Sequence, residues 1–191
     1  MTEEEPTNNG TEGASLSERI LESARRNNTE LLLSIKVELQ NDHDKLSSLI
    51  NNTHEVITGN TPLHLACQLG NWEFIDIVLD IEGVEIDPYN REHDTPLHLA
   101  VKYAIDEPDH GYFIIDNLLD AGSDPRIKDT HRLRPIDYVS KDNTKLRELL
   151  ETAEYAISME ITESEQLEGE ANNGEEEDDQ EEGSGSASDS D

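Results

Sequence analysis

Thr61-Pro62-Leu63-His64-Leu65-Ala66 returns, letter for letter, as Thr95-Pro96-Leu97-His98-Leu99-Ala100, 34 positions further on. An identical hexapeptide at a spacing of about 20 to 50 residues marks a unit that cannot bury its apolar face alone and must stack on its copies. The hexapeptide also has a local logic. A threonine hydroxyl satisfies free amides at a helix start, and a proline suits the first helical position, where no donor is needed. Each copy is therefore expected to open a helix. After the first, Gly70-Asn71 interrupts the chain, Trp72 to Leu79 places apolar residues at helical spacing, and Gly83 stops that second helix. Val84 to Asp94 reads as an extended, turn-forming connection to the next Thr-Pro, so the unit is helix, turn, helix, hairpin-like loop.

This hexapeptide and spacing resemble the ankyrin repeat, a unit of about 33 residues carrying T-P-L-H-x-A. Two further units can be placed by that resemblance. Asp120-Ala121-Gly122-Ser123-Asp124 is similar to the end of an ankyrin second helix, and Arg134 lies twelve residues beyond Gly122, as Thr95 lies twelve beyond Gly83. Arg134-Pro135-Ile136-Asp137-Tyr138-Val139 therefore sits in the register of the hexapeptide, keeping the proline and losing the threonine and histidine. A degenerate last copy suits the end of a stack, where one face meets water, and its second helix is expected from Asn143 to about Ile157. Upstream, Arg19 to Leu33 resembles an N-terminal cap with Asn27-Asn28 at its turn and a second helix from Thr29 to Leu39, followed by a connection to Thr61 longer than the family's usual loop.

The resemblance implies an all-α ankyrin-repeat α-solenoid of about four stacked helix pairs with hairpin loops. The expected segments are a disordered N-terminus at 1–14, the repeat domain at 15–160 and a disordered acidic tail at 161–191. Within the domain they are a cap at about 16–58, repeats at about 59–92 and 93–131, and a second cap at about 132–160. Thr95 to Arg134 spans 39 residues, which places an insertion near 105–111, between the two helices of its repeat. Such a loop is open to function and equally to neutral drift.

Charge divides the chain. The 45 Asp and Glu residues outnumber the 14 Lys and Arg, for a net charge of −31. Residues 151–191 hold 16 of the acids and no Lys or Arg, and residues 175–182 have seven acids in eight positions. Such a segment cannot offset its own ordering entropy. A polyanion repels phosphate backbones and anionic head groups, so nucleic acid and membrane are not expected partners, and like charge favours a monomer. No apolar run approaches the roughly 20 residues of a membrane span, and the acidic N-terminus lacks signal or transit character, so cytosol or nucleus is expected. One cysteine, Cys67, cannot form an internal disulfide.

Signs of catalysis are absent from the motifs. No phosphate-binding glycine loop or G-x-S-x-G occurs, and the acids are too many for any pair to stand out. His43, His54, His93, His110 and His131 show no metal-ligand spacing, and Cys67 reads as inert core. By resemblance His64 and His98 bond neighbouring backbone and hold the loops. A non-enzymatic protein without cofactors is expected, one that binds a protein partner of unknown identity as an adaptor or scaffold.

The resemblance implies a concave binding face made of hairpin tips and first helices. On this sequence it falls at Asn90, Arg91, Glu92 and His93 on one tip, and Asp129, Thr130, His131 and Arg132 on the next. Gln68 and Leu69, with Lys102 and Tyr103, hold matching inner-helix positions. Any one of these is open to the plainer reading of a solvated residue. Trp72 either anchors a partner or packs between repeats, and packing is favoured. The tail has three readings. It keeps the chain soluble; or it shields a basic client such as a ribosomal protein or histone, a plan that some small fungal ankyrin proteins with acidic tails resemble; or it is phosphorylated at Ser186 and Ser188, each with Asp three residues on.

Overall fold

The computed structural model describes residues 13–171, of which those up to Glu154 form one compact unit and those from Tyr155 belong to a second. Both Thr-Pro steps begin equivalent helices. These are α4 (Pro62–Leu69) and α6 (Pro96–Tyr103), and they pack side by side. Ahead of them lie α1 (Leu16–Arg26), α2 (Thr29–Glu38) and α3 (His43–Asn52); α5 (Trp72–Leu79) separates them; α7 (Pro108–Asp120), a 3-10 turn at Pro135–Tyr138 and α8 (Thr144–Ala171) follow. The described residues contain these eight α-helices and no strand. In the first unit, α1, α4, α6 and the 3-10 turn stack in that order as an inner row, while α2, α5 and α7 each pair with the inner helix before them.

Local chemistry sets the ends. Ser15 and Glu18 exchange side chain to backbone bonds at the start of α1, and Asn27, left-handed at φ 52°, stops it. Asn28 then caps α2 through Leu31 N–H. Gly70, at φ 67°, ends α4 in the same left-handed way, so the turn expected at Gly70-Asn71 is where it should be. The core lies between the two rows. Ile20, Leu32, Ile35, Leu63, Phe74, Ile75, Leu97, Ile114, Ile115 and Leu118 are fully buried, each contributing about 1.5–3 kcal/mol relative to exposure.

Four features depart from the sequence reading. The long connection before Thr61 contains α3, which Asp42 caps through Lys45 N–H and which buries Leu46 and Ile50 against α1. Asn51 ties α3 to the next loop, donating to Gly83 O and accepting from Glu85 N–H. The insertion is not simply a loop: from Pro108 it becomes an added first turn of α7, which has 13 residues against eight in α5. Gly111 permits this, because a Cβ there would stand 2.4 Å from Ala104 Cβ. The degenerate last copy closes after one 3-10 turn, with Val139 already extended. Helix α8 runs on to Ala171, beyond the end near Ile157 expected for the last helix. The N-terminal stretch 1–12 and the tail from 172, with Ser186 and Ser188, lie outside the described residues.

Candidate functional site

The hairpin tips are fixed by the two histidines. Thr61 N–H and Thr95 N–H donate to Nδ1 of His64 and His98, at 3.2 and 3.1 Å. An Nδ1 that accepts leaves the proton on Nε2, and each Nε2 then donates to the carbonyl just before the next repeat begins, Asp94 O at 2.9 Å and Leu133 O at 3.2 Å. Burial pushes the His64 ring down to about 4 and lowers His98 as well, so both are neutral donors near pH 7. Asp137 does the accepting half of this work in the last copy, where its carboxylate takes Arg134 N–H at 2.8 Å. The sequence there shows only Asp137 in the place of the histidine.

At the tips, one backbone position recurs in left-handed geometry: Gly59 at φ 73°, His93 at φ 58° and Arg132 at φ 63°. Neighbouring tips are joined by a backbone bond in equivalent register, Arg91 N–H to Thr58 O and Thr130 N–H to Glu92 O. Arg91, Glu92, His93, Thr130, His131 and Arg132 are exposed, and His93 stacks on Tyr89. The other two tip candidates face inward. Asn90 Oδ1 accepts from Glu92 and Asp94 N–H, and the buried Asp129 Oδ1 accepts from His131 and Leu133 N–H. These two hold the turns from inside, which one sequence cannot distinguish from a tip facing a partner.

On the inner helices Gln68 and Leu69 are exposed, whereas Lys102 and Tyr103 are half-buried. The Lys102 ammonium donates to Asp94 Oδ2 at 2.7 Å and lies 4.6 Å over the Tyr138 ring. Tyr103 covers Gly70 and bonds His110 Nδ1 through its hydroxyl. Trp72 packs edge-on against Phe113 of the next helix pair, centroids 4.6 Å apart, which is the inter-repeat packing favoured above. The structure adds residues that the sequence reading did not name. Val56 and Ile57 on the first tip are 82% and 81% exposed beside an open groove lined by Glu18, Leu21, Glu22 and Arg25. Lys128, next to Asp129, is exposed; like Arg91 and Arg132 it has no carboxylate within ion-pair reach among the described residues. Three unpaired cations therefore share the second and third hairpins of a strongly anionic chain.

One group of side chains resembles a metal site in outline. Single ligand atoms of Asp94, His98 and Asp129 lie within 4.8 Å of one another, all buried. The donors do not fit a metal. His98 accepts a backbone N–H at Nδ1 and donates from Nε2, so no ring lone pair remains. The Lys102 ammonium already supplies the positive charge at Asp94. Cys67 is buried with nothing to activate it, and burial pushes its thiol up. Among the described residues neither Cys67 nor the Asp94, His98 and Asp129 group forms a catalytic arrangement. No helix of the described residues is long and apolar enough to cross a membrane.

Comparison with known proteins agrees with this geometry. A family model described as ankyrin repeats (3 copies) matches residues 21–129. An ankyrin repeat-containing protein of Saccharomyces cerevisiae is 49% identical over 150 residues, covering 77% of this chain and 82% of its own length. An ankyrin repeat protein of fowlpox virus is 32% identical over 64% of this chain and 36% of its own, and alpha-latrocrustotoxin-Lt1a of Latrodectus tredecimguttatus is 28% identical over 54% and 7%. With the repeated Thr-Pro helix starts, the stacked inner row and these matches together, the chain belongs to the ankyrin-repeat family.

Proposed function

We propose that this protein is a non-enzymatic adaptor that binds a partner protein along its hairpin tips and the exposed ends of its inner helices. One observation carries the reading. The left-handed tip position filled by Gly59 in the first loop holds His93 and Arg132 in the next two, where a side chain is strained by about 1 kcal/mol. Among the described residues Arg132 makes no side-chain bond in return, and His93 only stacks on an exposed ring. Strain retained without a structural return is best explained by a partner that reads those side chains. Arg91, Glu92, Thr130 and His131 flank them, with Gln68 and Leu69 on the adjoining helix. The cytosol or nucleus and a monomeric state belong to the same reading.

The test compares proteins co-purified with the wild type, with His93→Gly/Arg132→Gly, and with Val37→Ser on the outer helix α2. A partner held by the wild type and the Val37 variant but lost by the double glycine variant supports the reading; equal retention by all three removes it. A second reading, escort of a basic client such as a ribosomal protein or histone, is favoured by the 16 acids and no bases of residues 151–191. A complex of that kind weakens steeply with salt and on deletion of residues 162–191. Phosphorylation at Ser186 and Ser188 would strengthen it.

A further inference from the structure

The second and third hairpins share one frame and carry different side chains on it. Asn90 N–H donates to Asp94 O as Asp129 N–H donates to Leu133 O, at 3.1 and 3.0 Å. His93 N–H donates to Asn90 O as Arg132 N–H donates to Asp129 O, at 3.1 and 2.9 Å. Oδ1 of Asn90 and of Asp129 each accepts the N–H groups two and four residues on, and His93 and Arg132 match in φ at 58° and 63°. From this frame Tyr89 and His93 project close enough to stack, ring centroids 5.0 Å apart. Lys128 and Arg132 leave the third hairpin from the same two positions, one before the turn-holding residue and three after it. The frame therefore sets an ammonium and a guanidinium side by side where the second hairpin sets two rings. Like charges so placed repel, and neither has a carboxylate within ion-pair reach among the described residues. Elsewhere bases meet acids: Arg25 pairs with Glu55, Lys102 with Asp94, Arg126 with Asp124 and Arg134 with Glu154. With 45 acidic side chains against 14 basic ones, adjacent cations without a carboxylate are the arrangement this composition least favours.

We infer that Arg91, Lys128 and Arg132 bind an acidic segment of the partner protein, rich in Asp and Glu and extended across the tips. The inference rests on the tips being the partner surface, and it names the chemistry that this surface selects. Arg91 belongs to the same row. Its N–H holds Thr58 O at 2.9 Å, and its side chain crosses the bare face of Gly59, where a Cβ would stand 2.9 Å from Arg91 Cγ. Thr130 N–H holds Glu92 O at 3.0 Å, which fixes the third hairpin against the second. Cations thus flank the second tip, Arg91 toward the first hairpin and Lys128 with Arg132 on the third. The nearby carboxylates do not meet them. Glu92 accepts from the Thr130 hydroxyl, Asp129 is turned inward onto backbone N–H groups, and Asp94 is paired with Lys102. His93 and His131, exposed on the same tips, offer ring N–H groups to the same oxygens. Side-chain carboxylates fit this row better than a nucleic acid does, because a phosphate backbone would bring further negative charge against a chain of −31. Each exposed pair contributes little alone; the set together selects the sign of its partner.

Fluorescence anisotropy with the full chain tests this, the probe being a short labelled peptide of alternating Asp-Glu and Gly-Ser pairs. The wild type is expected to bind it and to ignore the same peptide with Asn and Gln in place of the acids. Arg91→Gln/Lys128→Gln/Arg132→Gln should bind about tenfold more weakly, roughly twofold for each pair lost, with an unchanged melting temperature. Lys36→Gln/Lys141→Gln/Lys145→Gln removes the same charge away from the tips and should bind as the wild type does. No binding by the wild type would overturn the inference. Equal weakening in the two triple variants would do so too, since net charge alone would then be at work, as would tighter binding of a single-stranded RNA of matched length. The adaptor reading fails separately. It falls if the co-purified partner survives His93→Gly/Arg132→Gly, whereas peptide binding that ignores the tip substitutions sinks the acidic segment alone.

Discussion

The first and second repeat junctions differ more than two copies of one motif need to. Around Asn60 and Asn90 every contact is a neutral amide or hydroxyl, and the tip is Gly59. At the second, Asp94 is ion-paired with Lys102, Asp129 accepts from two backbone N–H groups and the Tyr138 hydroxyl, and the tips are His93 and Arg132. The buried threonine and histidine beneath are the same in both. A repeat scaffold can evidently fix its helices with one small set of residues and leave the surrounding positions free for charge, strain and recognition.

Removing that shared set should have the largest effect. His64→Ala leaves Thr61 N–H and the Asp94 carbonyl unpaired in a cavity and should destabilise by about 3 kcal/mol; His98→Ala, with the longer bond to Leu133, should cost less. Denaturant melts that reversed this order would break the comparison. The same buried ring gives a pH dependence. Folded His64 titrates near 4 and unfolded histidine near 6.5, so its stabilisation is complete above about 6.5 and falls away as pH drops toward about 4. His64→Gln should flatten that part of the stability profile.

Transplanting the second junction onto the first is the next test. Asn60→Asp/Asn90→Asp puts two carboxylates together without a lysine and should destabilise by about 2 kcal/mol at pH 7; adding Gln68→Lys should recover about half. No recovery would show that Lys102 does not compensate Asp94. Gly70→Ala, whose Cβ would stand 2.2 Å from the Tyr103 ring at φ 67°, should cost about 2 kcal/mol, whereas Gly122→Ala, in open space, meets only the penalty of its φ of 99°. The smallest effect has the opposite sign: His93→Gly and Arg132→Gly should each stabilise by about 0.5–1 kcal/mol.

What could be read beforehand follows the same division. Helix starts that depend on a local signal, Thr61-Pro62 and Thr95-Pro96, were legible, as were the breaks at Asn27-Asn28 and Gly70-Asn71. Helix α3 has a signal too, Asp42 followed by Leu46, Leu49 and Ile50, at a place where the repeat pattern itself has no helix. The early end of the last copy was hidden because Pro135 starts a helix and a 3-10 turn equally well. Among the site residues, exposed and buried tip positions look alike in one sequence. Asn90 and Asp129 share tip segments with Arg91 and Arg132 yet point inward, and the exposure of Val56, Ile57 and Lys128 depends on how neighbouring tips pack.

Nitrogen-15 NMR of the histidine rings in the intact protein addresses the shared frame itself. Near pH 7 His64 and His98 should both be neutral, protonated on Nε2, with exchange-protected ring protons bonded to the carbonyls of Asp94 and Leu133. If the two rings carried their protons on different nitrogens, or if either charged above pH 6.5, the two Thr-Pro-Leu-His segments would not be doing the same job.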